Sequence, residues 1–167
     1  MVNRMKTYTH KKHIWIWILT FVYIGWIFSN SLANGNTSGS FSKDVTQVVM
    51  NIVHGAGFSI SFDLLHHYVR KLAHFSEYFL LGCIVCESLH LSDLFHKKKI
   101  TFFLLWIGTP SIDEGIQHFV PGRYGAITDV CIDMSGFICG TLFLYIILCI
   151  IQDIHLRRNH LSGKING

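Results

Sequence analysis

The chain has 167 residues, of which half are hydrophobic and only 14% are charged, whereas about a quarter of the residues of a soluble domain are charged. This composition excludes an ordinary soluble domain and a disordered chain, and it indicates a membrane protein. The formal net charge is +4, but the basic residues are divided among several segments, so no nucleic-acid partner is predicted. The length suits one domain, and we predict a single membrane domain over residues 1–167.

Four apolar segments are long enough to cross a hydrocarbon core of ~30 Å. They predict an all-α polytopic membrane protein with four transmembrane helices, at about residues 14–33, 72–91, 100–120 and 128–151. A cleaved signal peptide is the alternative interpretation of the first segment, because basic residues precede it and small residues follow it. Its tryptophans are bulky for a signal peptide and favour a retained anchor. Pro110 is expected to kink the third helix.

A short helix is predicted between the first two spans. Residues 34–42 are rich in Gly, Ser and Asn and predict a loop. Apolar residues then recur at helical spacing, namely Val45, Val48, Val49, Ile52 and Val53. This amphipathic helix is too short and too polar to span, and we expect it on the outer membrane surface or over the bundle. Gly55 and Gly57 are expected to end it, and Ser61 to cap the next helix, which continues to about Leu91.

The distribution of Lys and Arg predicts the orientation in the membrane, because these residues accumulate in cytoplasmic loops. With both termini in the cytoplasm, ten of the fourteen basic residues lie on the cytoplasmic side, including those of the basic loop at residues 92–99. Those that remain outside are Lys43, Arg70, Lys71 and Arg123. The same orientation brings the polar residues of the spans to the outer leaflet, so that we predict an outward-facing site.

Ionisable side chains inside a bilayer usually face the interior of a helix bundle, because their exposure to lipid is costly. The predicted site contains such residues from three spans: Lys71, His74, Glu77, Asp113, Glu114, Gln117, Asp129 and Asp133, together with Arg123 in the turn between the last two spans. His74 and Glu77 are three residues apart, as are Glu114 and Gln117, so each pair lies on one helix face.

Two kinds of chemistry fit this set. His74, Glu77, Glu114 and Asp129 are our predicted ligands for a divalent metal ion. The same four are our predicted catalytic residues, with Glu114 as a general base and His74 as an acid. The alternative is a network of ion pairs that only holds the helices together, in which Lys71 pairs with Glu77 or Asp113.

Arg123 follows Pro121 and Gly122 in a turn at the predicted membrane surface, close to Arg70 and Lys71. A guanidinium there is suited to bind a phosphate or a carboxylate through two hydrogen bonds. The alternative is simple anchoring to lipid headgroups. Gly136 and Gly140 form a GxxxG motif in the fourth span and predict close helix packing.

Two blocks, KLAHFSEYFLLG (71–82) and DEGIQHFVPGRYGAITDVCIDMSGFICG (113–140), resemble the VanZ-like membrane proteins. That family combines KxxHFxEY, ExxQxFxPGR and DxxxNxxGxxxG patterns, and this chain departs from them at Asp133, where the family more often has Asn. The motif core extends over about residues 70–140. The resemblance implies an association with resistance to the glycopeptide antibiotic teicoplanin, but it implies no settled catalytic activity or cofactor.

Two functional hypotheses follow from these residues and from the resemblance. The first is a membrane protein of the cell envelope that affects teicoplanin susceptibility through the outward polar site. The second is an intramembrane enzyme that acts on an anionic envelope lipid or a lipid-linked cell-wall precursor. The partners implied are membrane lipid and either such a precursor or the antibiotic, and the predicted binding residues are Lys71, Asp113, Gln117, Arg123 and Asp133. A third interpretation assigns the buried polar residues to stability alone.

Overall fold

The computed structural model describes residues 2–33, 35–91, 97–123 and 125–165. These residues form five α-helices in chain order: α1 (Val2–Leu32), α2 (Gly35–Gly55), α3 (Phe62–Leu91), α4 (Lys98–Phe119) and α5 (Ile127–Ile165). The all-α prediction is confirmed. The predicted basic loop at 92–99 lies partly outside the described residues, and α4 begins at its penultimate position.

Three of these helices are long and apolar enough to cross a membrane. The segments are Ile14–Leu32 of α1, Phe62–Leu91 of α3 and Ile127–Arg158 of α5. Large apolar side chains on their outer faces are exposed, for example Trp15 and Phe21 on α1, Leu72 and Leu80 on α3, and Phe143 on α5. Since a soluble protein rarely exposes a continuous apolar surface of this kind, the bundle is that of a membrane protein.

The closest helix contact joins α3 and α5 through glycine. A Cβ added at Gly136 or Gly140 would overlap the backbone carbonyl group of Phe75 or Phe79, respectively. On the other side of the contact, a Cβ at Gly82 would overlap the carbonyl group of Phe137. The predicted packing role of the GxxxG motif is therefore confirmed, and Gly82 is the additional residue that permits the backbones to approach.

The apolar core lies beside this contact and brings α1 against α3. Its buried residues are Ile24, Ile27, Tyr78, Leu81, Val85 and Phe137. A polar contact supports the same packing, because the buried hydroxyl groups of Thr20 and Ser88 are 2.9 Å apart and share a hydrogen bond. On the opposite side, Trp106 Nε1 of α4 donates a hydrogen bond to the carbonyl oxygen of Met134, 3.1 Å away. These contacts fix α1 and α4 around the α3–α5 pair.

The predicted loop at residues 34–42 is wrong, because α2 begins at Gly35. Glycine lowers the stability of a helix by only about 1 kcal/mol per residue, and this stretch contains no proline, so the helix extends towards the N-terminus. It ends at Gly55 as predicted, and Gly57 has a positive φ of 84°. Thr46 is buried and hydrogen-bonds to His66 Nδ1 at 3.0 Å, which attaches α2 to α3.

Substitution of Gly140 by Ala is expected to lower the free energy of unfolding by about 1–3 kcal/mol, the usual cost of forcing extra volume into a packed contact. Gly108 on α4 is the matched control, because a Cβ there has no atom within 4 Å. Gly108→Ala should leave stability unchanged or raise it by up to about 1 kcal/mol. Unfolding of the purified variants in mixed micelles, followed by circular dichroism, measures both values. Equal stability of Gly140→Ala and the wild type would refute the close contact.

Candidate functional site

Polar side chains from four helices meet at one end of the bundle. They come from the C-terminal end of α1, the first half of α3, the C-terminal end of α4 and the first turns of α5. The buried or half-buried members are Asn30, Ser31, His74, Glu77, Asp113, Glu114, Gln117, Asp129 and Asp133. Helix α3 also contributes Lys71, and the turn before α5 contributes Arg123. The structure therefore brings all nine predicted site residues to this end, together with Asn30 and Ser31.

His74, Asp113 and Asp133 form the centre of the site, which we call the inner cluster. Each offers one nitrogen or oxygen atom, and these three atoms lie within 4.8 Å of one another. His74 Nδ1 is 3.6 Å from Asp133 Oδ1. Asp113 and Asp133 have exposed fractions of 1% and 0%. Two buried carboxyl groups and a half-buried imidazole, one from each of three helices, are therefore held together.

Several polar atoms of the inner cluster are buried without a hydrogen-bond partner among the described residues. They are His74 Nδ1, Asp113 Oδ1 and both carboxyl oxygens of Asp133. The hydroxyl group of Tyr78 faces Asp113 but lies outside hydrogen-bonding geometry. Most buried polar atoms in proteins have a partner, and each one left without a partner costs about 1–3 kcal/mol. The inner cluster thus has unused ligand atoms that converge on one place.

Gln117 orients the carboxyl group of Asp113. Its side-chain amide donates a hydrogen bond to Asp113 Oδ2 at 3.2 Å and another to Ser31 Oγ at 3.3 Å. The contact with Ser31 connects α4 with α1, whereas the contact with Asp113 lies within α4 and uses Oδ2, not Oδ1. Gln117 therefore positions an acidic residue and does not belong to the group of unpartnered atoms.

Glu114 supports the turn that leads into α5. Its Oε1 atom accepts a hydrogen bond from the backbone N–H of Ala126 at 2.5 Å, and the side chain is buried. A Cβ at Gly125 would come within 3.0 Å of the Glu114 carbonyl oxygen, so the turn lies directly against α4. Glu114 thus holds the start of α5 in place.

The ion pair of Lys71 differs from the predicted one. Lys71 Nζ pairs with Asp129 Oδ1, whereas the alternative ion-pair network considered from the sequence paired it with Glu77 or Asp113. Glu77 Oε1 instead accepts a hydrogen bond from Asn30 Nδ2 at 3.3 Å. Of the four predicted metal ligands, Glu77, Glu114 and Asp129 therefore interact with other groups, and His74 alone belongs to the inner cluster. Spacing along one helix specifies a face but does not specify which neighbouring helix that face contacts.

A cavity of about 210 Å³, which we call the basic cavity, opens beside the inner cluster. Its polar lining consists of His67, Arg70, Lys71, His74, Arg123 and Asp129. A second cavity of about 440 Å³ shares Arg70, His74 and Arg123 and extends along Asn30 and Glu77 towards α1. Since His74 lines both cavities and also belongs to the inner cluster, its imidazole borders both the basic cavity and the acidic interior.

Arg123 lies in the turn between α4 and α5, at the wall shared by the two cavities. Its Nη2 atom donates a hydrogen bond to the carbonyl oxygen of Asn30 at 3.1 Å, which ties this turn to the end of α1. Burial and the nearby Arg70 guanidinium lower the pKa of Arg123, yet an arginine side chain keeps its charge at neutral pH. An anion in the basic cavity would therefore relieve repulsion between two guanidinium groups.

The sequence also contained a signal for the contribution of α1. Ser29, Asn30 and Ser31 end the first apolar segment, at the same depth as the acidic residues of the other spans. Polar residues at this depth usually interact with one another. Our prediction assigned them no role in the site, whereas Asn30 and Ser31 contact Glu77, Gln117 and Arg123.

A double-mutant cycle tests the Lys71–Asp129 ion pair. Lys71→Met and Asp129→Asn should each destabilise the protein, because each leaves a half-buried charge without its partner. The double variant should be more stable than the sum of the two effects predicts, with a coupling of about 0.5–3 kcal/mol. The free energy of unfolding in micelles provides the readout. Strictly additive effects would show that the two side chains do not interact.

Comparison with known proteins agrees with the motif resemblance. The family model described as VanZ/LLP1 matches residues 14–149, a range that includes the three motif blocks, the inner cluster and both cavities. No curated protein and no solved structure matches the chain. Because the match extends over most of the sequence, the chain belongs to the VanZ/LLP1 family.

Proposed function

We propose that this protein acts in the bacterial cytoplasmic membrane, where it lowers susceptibility to teicoplanin by binding an anionic headgroup of the cell envelope in the basic cavity. Family membership supports a function of the teicoplanin-resistance type. The observation that carries the proposed mechanism is the convergence of Arg70, Lys71 and Arg123 on one cavity at the end of an apolar bundle.

The proposed topology has four spans, with α4 as the third, in a single domain over residues 1–167. Helix α4 has 22 residues, or about 33 Å of helix, and it packs against α1, α3 and α5. Its outer face carries exposed Ile100, Phe103, Leu104, Ile107 and Ile112. Its buried acidic groups lower its mean hydropathy but face the bundle, where a membrane tolerates them.

We propose that both termini lie in the cytoplasm, as the distribution of Lys and Arg predicts, so that the basic cavity and α2 lie on the outer side. Helix α2 then lies along the outer surface. Its Thr46 faces α3, whereas Val45, Val48 and Ile52 are exposed. An exposed apolar face on a helix with a polar opposite face is typical of a helix at the lipid interface.

Reporter fusions test this topology. Alkaline phosphatase, which is active only outside the cytoplasm, should be active when fused after Gly57 or Gly122 and inactive when fused after Lys97. A fluorescent protein fused to the C-terminus should fluoresce. The fusions at Lys97 and Gly122 bracket α4, so equal phosphatase activity at these two positions would show that α4 does not cross the membrane. Activity at Lys97 combined with inactivity at Gly57 would reverse the orientation.

The charges of the basic cavity favour a phosphate-bearing lipid headgroup. Asp129 pairs with Lys71, and the lining also contains the guanidinium groups of Arg70 and Arg123, which are groups that bind phosphate through paired hydrogen bonds. The volume of about 210 Å³ lies below the ~300–1,000 Å³ of pockets for drug-sized molecules. The cavity is thus too small for a whole glycopeptide. We therefore propose that a headgroup of a lipid or a lipid-linked precursor is the ligand.

An intramembrane enzyme is the second candidate, and the inner cluster specifically favours it. A headgroup in the basic cavity would lie on one side of the His74 imidazole, with Asp113 and Asp133 on the other side. Groups that can exchange protons beside a bound ester are the elements of acid–base or metal-dependent chemistry. This candidate predicts an altered lipid or precursor, whereas binding alone predicts the same molecules with restricted access.

Susceptibility to teicoplanin in a sensitive Gram-positive host tests the proposed function. We expect the wild type to raise the inhibitory concentration and Arg70→Gln to abolish that increase at equal abundance in the membrane. Removal of one charge-assisted hydrogen bond costs about 1.5–3 kcal/mol, so binding of the purified protein to vesicles of anionic phospholipid should weaken roughly 10- to 100-fold. Lys43→Gln is the control, because Lys43 is an exposed basic residue of α2 that is placed on the same side.

Three outcomes separate the hypotheses. Full resistance and full vesicle binding in Arg70→Gln would contradict a role for the basic cavity. No resistance from an abundant wild type would contradict the teicoplanin function itself. If resistance depends on Arg70, analysis of extracted lipid-linked precursors then distinguishes an enzyme, which changes their composition, from a binding protein, which does not.

A further inference from the structure

We propose that the inner cluster of His74, Asp113 and Asp133 is a binding site for one divalent transition-metal ion. This ligand set differs from the one that the sequence predicted, since Asp113 and Asp133 replace Glu77, Glu114 and Asp129. The inference stands apart from the proposed function, because it depends on the geometry of these three side chains and on no property of teicoplanin or lipid.

The distances within the inner cluster fit a single ion. Divalent ions lie about 2.0–2.6 Å from nitrogen and oxygen ligands, so two ligands on opposite sides of one ion are roughly 4–5 Å apart. The three candidate atoms lie within 4.8 Å of one another. His74 Nδ1 and Asp133 Oδ1, separated by 3.6 Å, are too far apart for a hydrogen bond and suited to be neighbouring ligands.

The unpartnered atoms are a second and independent indication of a ligand. Asp133 is fully buried, and neither of its carboxyl oxygens has a hydrogen-bond partner within the part of the chain that the structure describes. Asp113 Oδ1 and His74 Nδ1 are also buried without a hydrogen-bond partner among the described residues. A divalent ion would supply a partner for all of these atoms and would balance the two carboxylate charges, whose burial is otherwise strongly unfavourable.

Neighbouring side chains orient the candidate ligands, as they do in known metal sites. The amide of Gln117 occupies Asp113 Oδ2 and leaves Oδ1 unoccupied, which is the arrangement by which a neighbouring group orients a carboxylate ligand. The nearby carboxylate of Asp129 is paired with Lys71, and Glu77 is bound to Asn30. Glu114 Oε1 accepts a hydrogen bond from the backbone at Ala126. Glu114 Oε2 is also buried without a partner among the described residues, but it lies outside the group of three converging ligand atoms.

One imidazole with two carboxylates favours a first-row transition ion over calcium or magnesium. Calcium and magnesium prefer oxygen ligands, whereas imidazole suits zinc, iron and copper, and carboxylate suits manganese. The mixed set fits Mn²⁺, Fe²⁺ or Zn²⁺. Three protein ligands also leave coordination positions for water or another ligand, as in catalytic sites rather than closed structural ones.

Metal titration of the full chain in detergent tests the inference. The protein is stripped with a chelator and titrated with Mn²⁺, and bound ion is measured by electron paramagnetic resonance. We expect one ion per chain and at least tenfold weaker binding in Asp133→Asn. Asp153→Asn is the matched control, because it removes an exposed carboxylate from the same helix and should bind as the wild type does.

A second measurement on the wild type remains decisive even if Asp133→Asn fails to fold. Pulsed electron paramagnetic resonance of bound Mn²⁺ should show coupling to a histidine nitrogen, and His74→Gln should remove that coupling or the ion. A wild type that takes up no Mn²⁺ or Zn²⁺, binding without nitrogen coupling, or equal binding in a folded Asp133→Asn would overturn the inference. A wild type that takes up no metal ion is also the result expected if Asp113 and Asp133 share a proton in place of an ion.

The metal site and the proposed function can be refuted separately. Arg70→Gln leaves the inner cluster intact and should bind Mn²⁺ as the wild type does, whatever its effect on teicoplanin. A folded Asp133→Asn protein that loses the ion but keeps resistance would support the metal site and separate it from that function.

Discussion

The close contact of α3 and α5 determines the geometry on which the site depends. Backbone carbonyl groups of Phe75 and Phe79 lie where side chains at Gly136 and Gly140 would otherwise stand. His74 directly precedes Phe75, and Asp133 lies one helical turn before Gly136 and Phe137. The register that the glycines impose is thus the register that brings His74 Nδ1 within 3.6 Å of Asp133. A wider separation of the two helices would move the His74 imidazole away from the Asp133 carboxyl group, and the inner cluster would no longer be held together.

Helix α4 is attached to its neighbours partly by polar residues of the site. It lies outside the three segments that are long and apolar enough to cross a membrane, and its buried residues towards the C-terminus are Asp113, Glu114 and Gln117. Glu114 binds the backbone at Ala126 and Gln117 bridges to Ser31. These hydrogen bonds form in an environment with little competing water, where they are stronger than at a protein surface. Stability and function are therefore linked at α4, and stability has to be measured alongside any effect of a substitution there.

The sequence predicted the helices, the glycine contact and the grouping of acidic residues, because each depends on periodicity or composition within one segment. Asp129 and Asp133 lie on one face by their spacing, and Gly136 and Gly140 continue that face. The charge partners were not predictable in this way. Lys71 could reach several carboxylates, and its pairing with Asp129 depends on the rotation of α5 against α3.

The start of α2 at Gly35 was missed for a different reason, since residues of low helix propensity can still extend a helix whose later turns pack against a neighbour.

The arrangement of charge explains why a cavity rich in arginine lies next to buried carboxyl groups. Arg123 has a favourable interaction with the acidic interior, because the charges of Asp113, Glu77 and Glu114 act to raise its pKa. An anion entering the basic cavity would gain from the guanidinium groups and be repelled by Asp113 and Asp133 behind His74. A divalent ion in the inner cluster would cancel that repulsion, because its two positive charges balance the two negative charges of the carboxylates. Binding of cation and anion would then be mutually favourable, and such coupling is reciprocal by thermodynamic necessity. The His74 imidazole, which borders both compartments, is the element through which the two would interact.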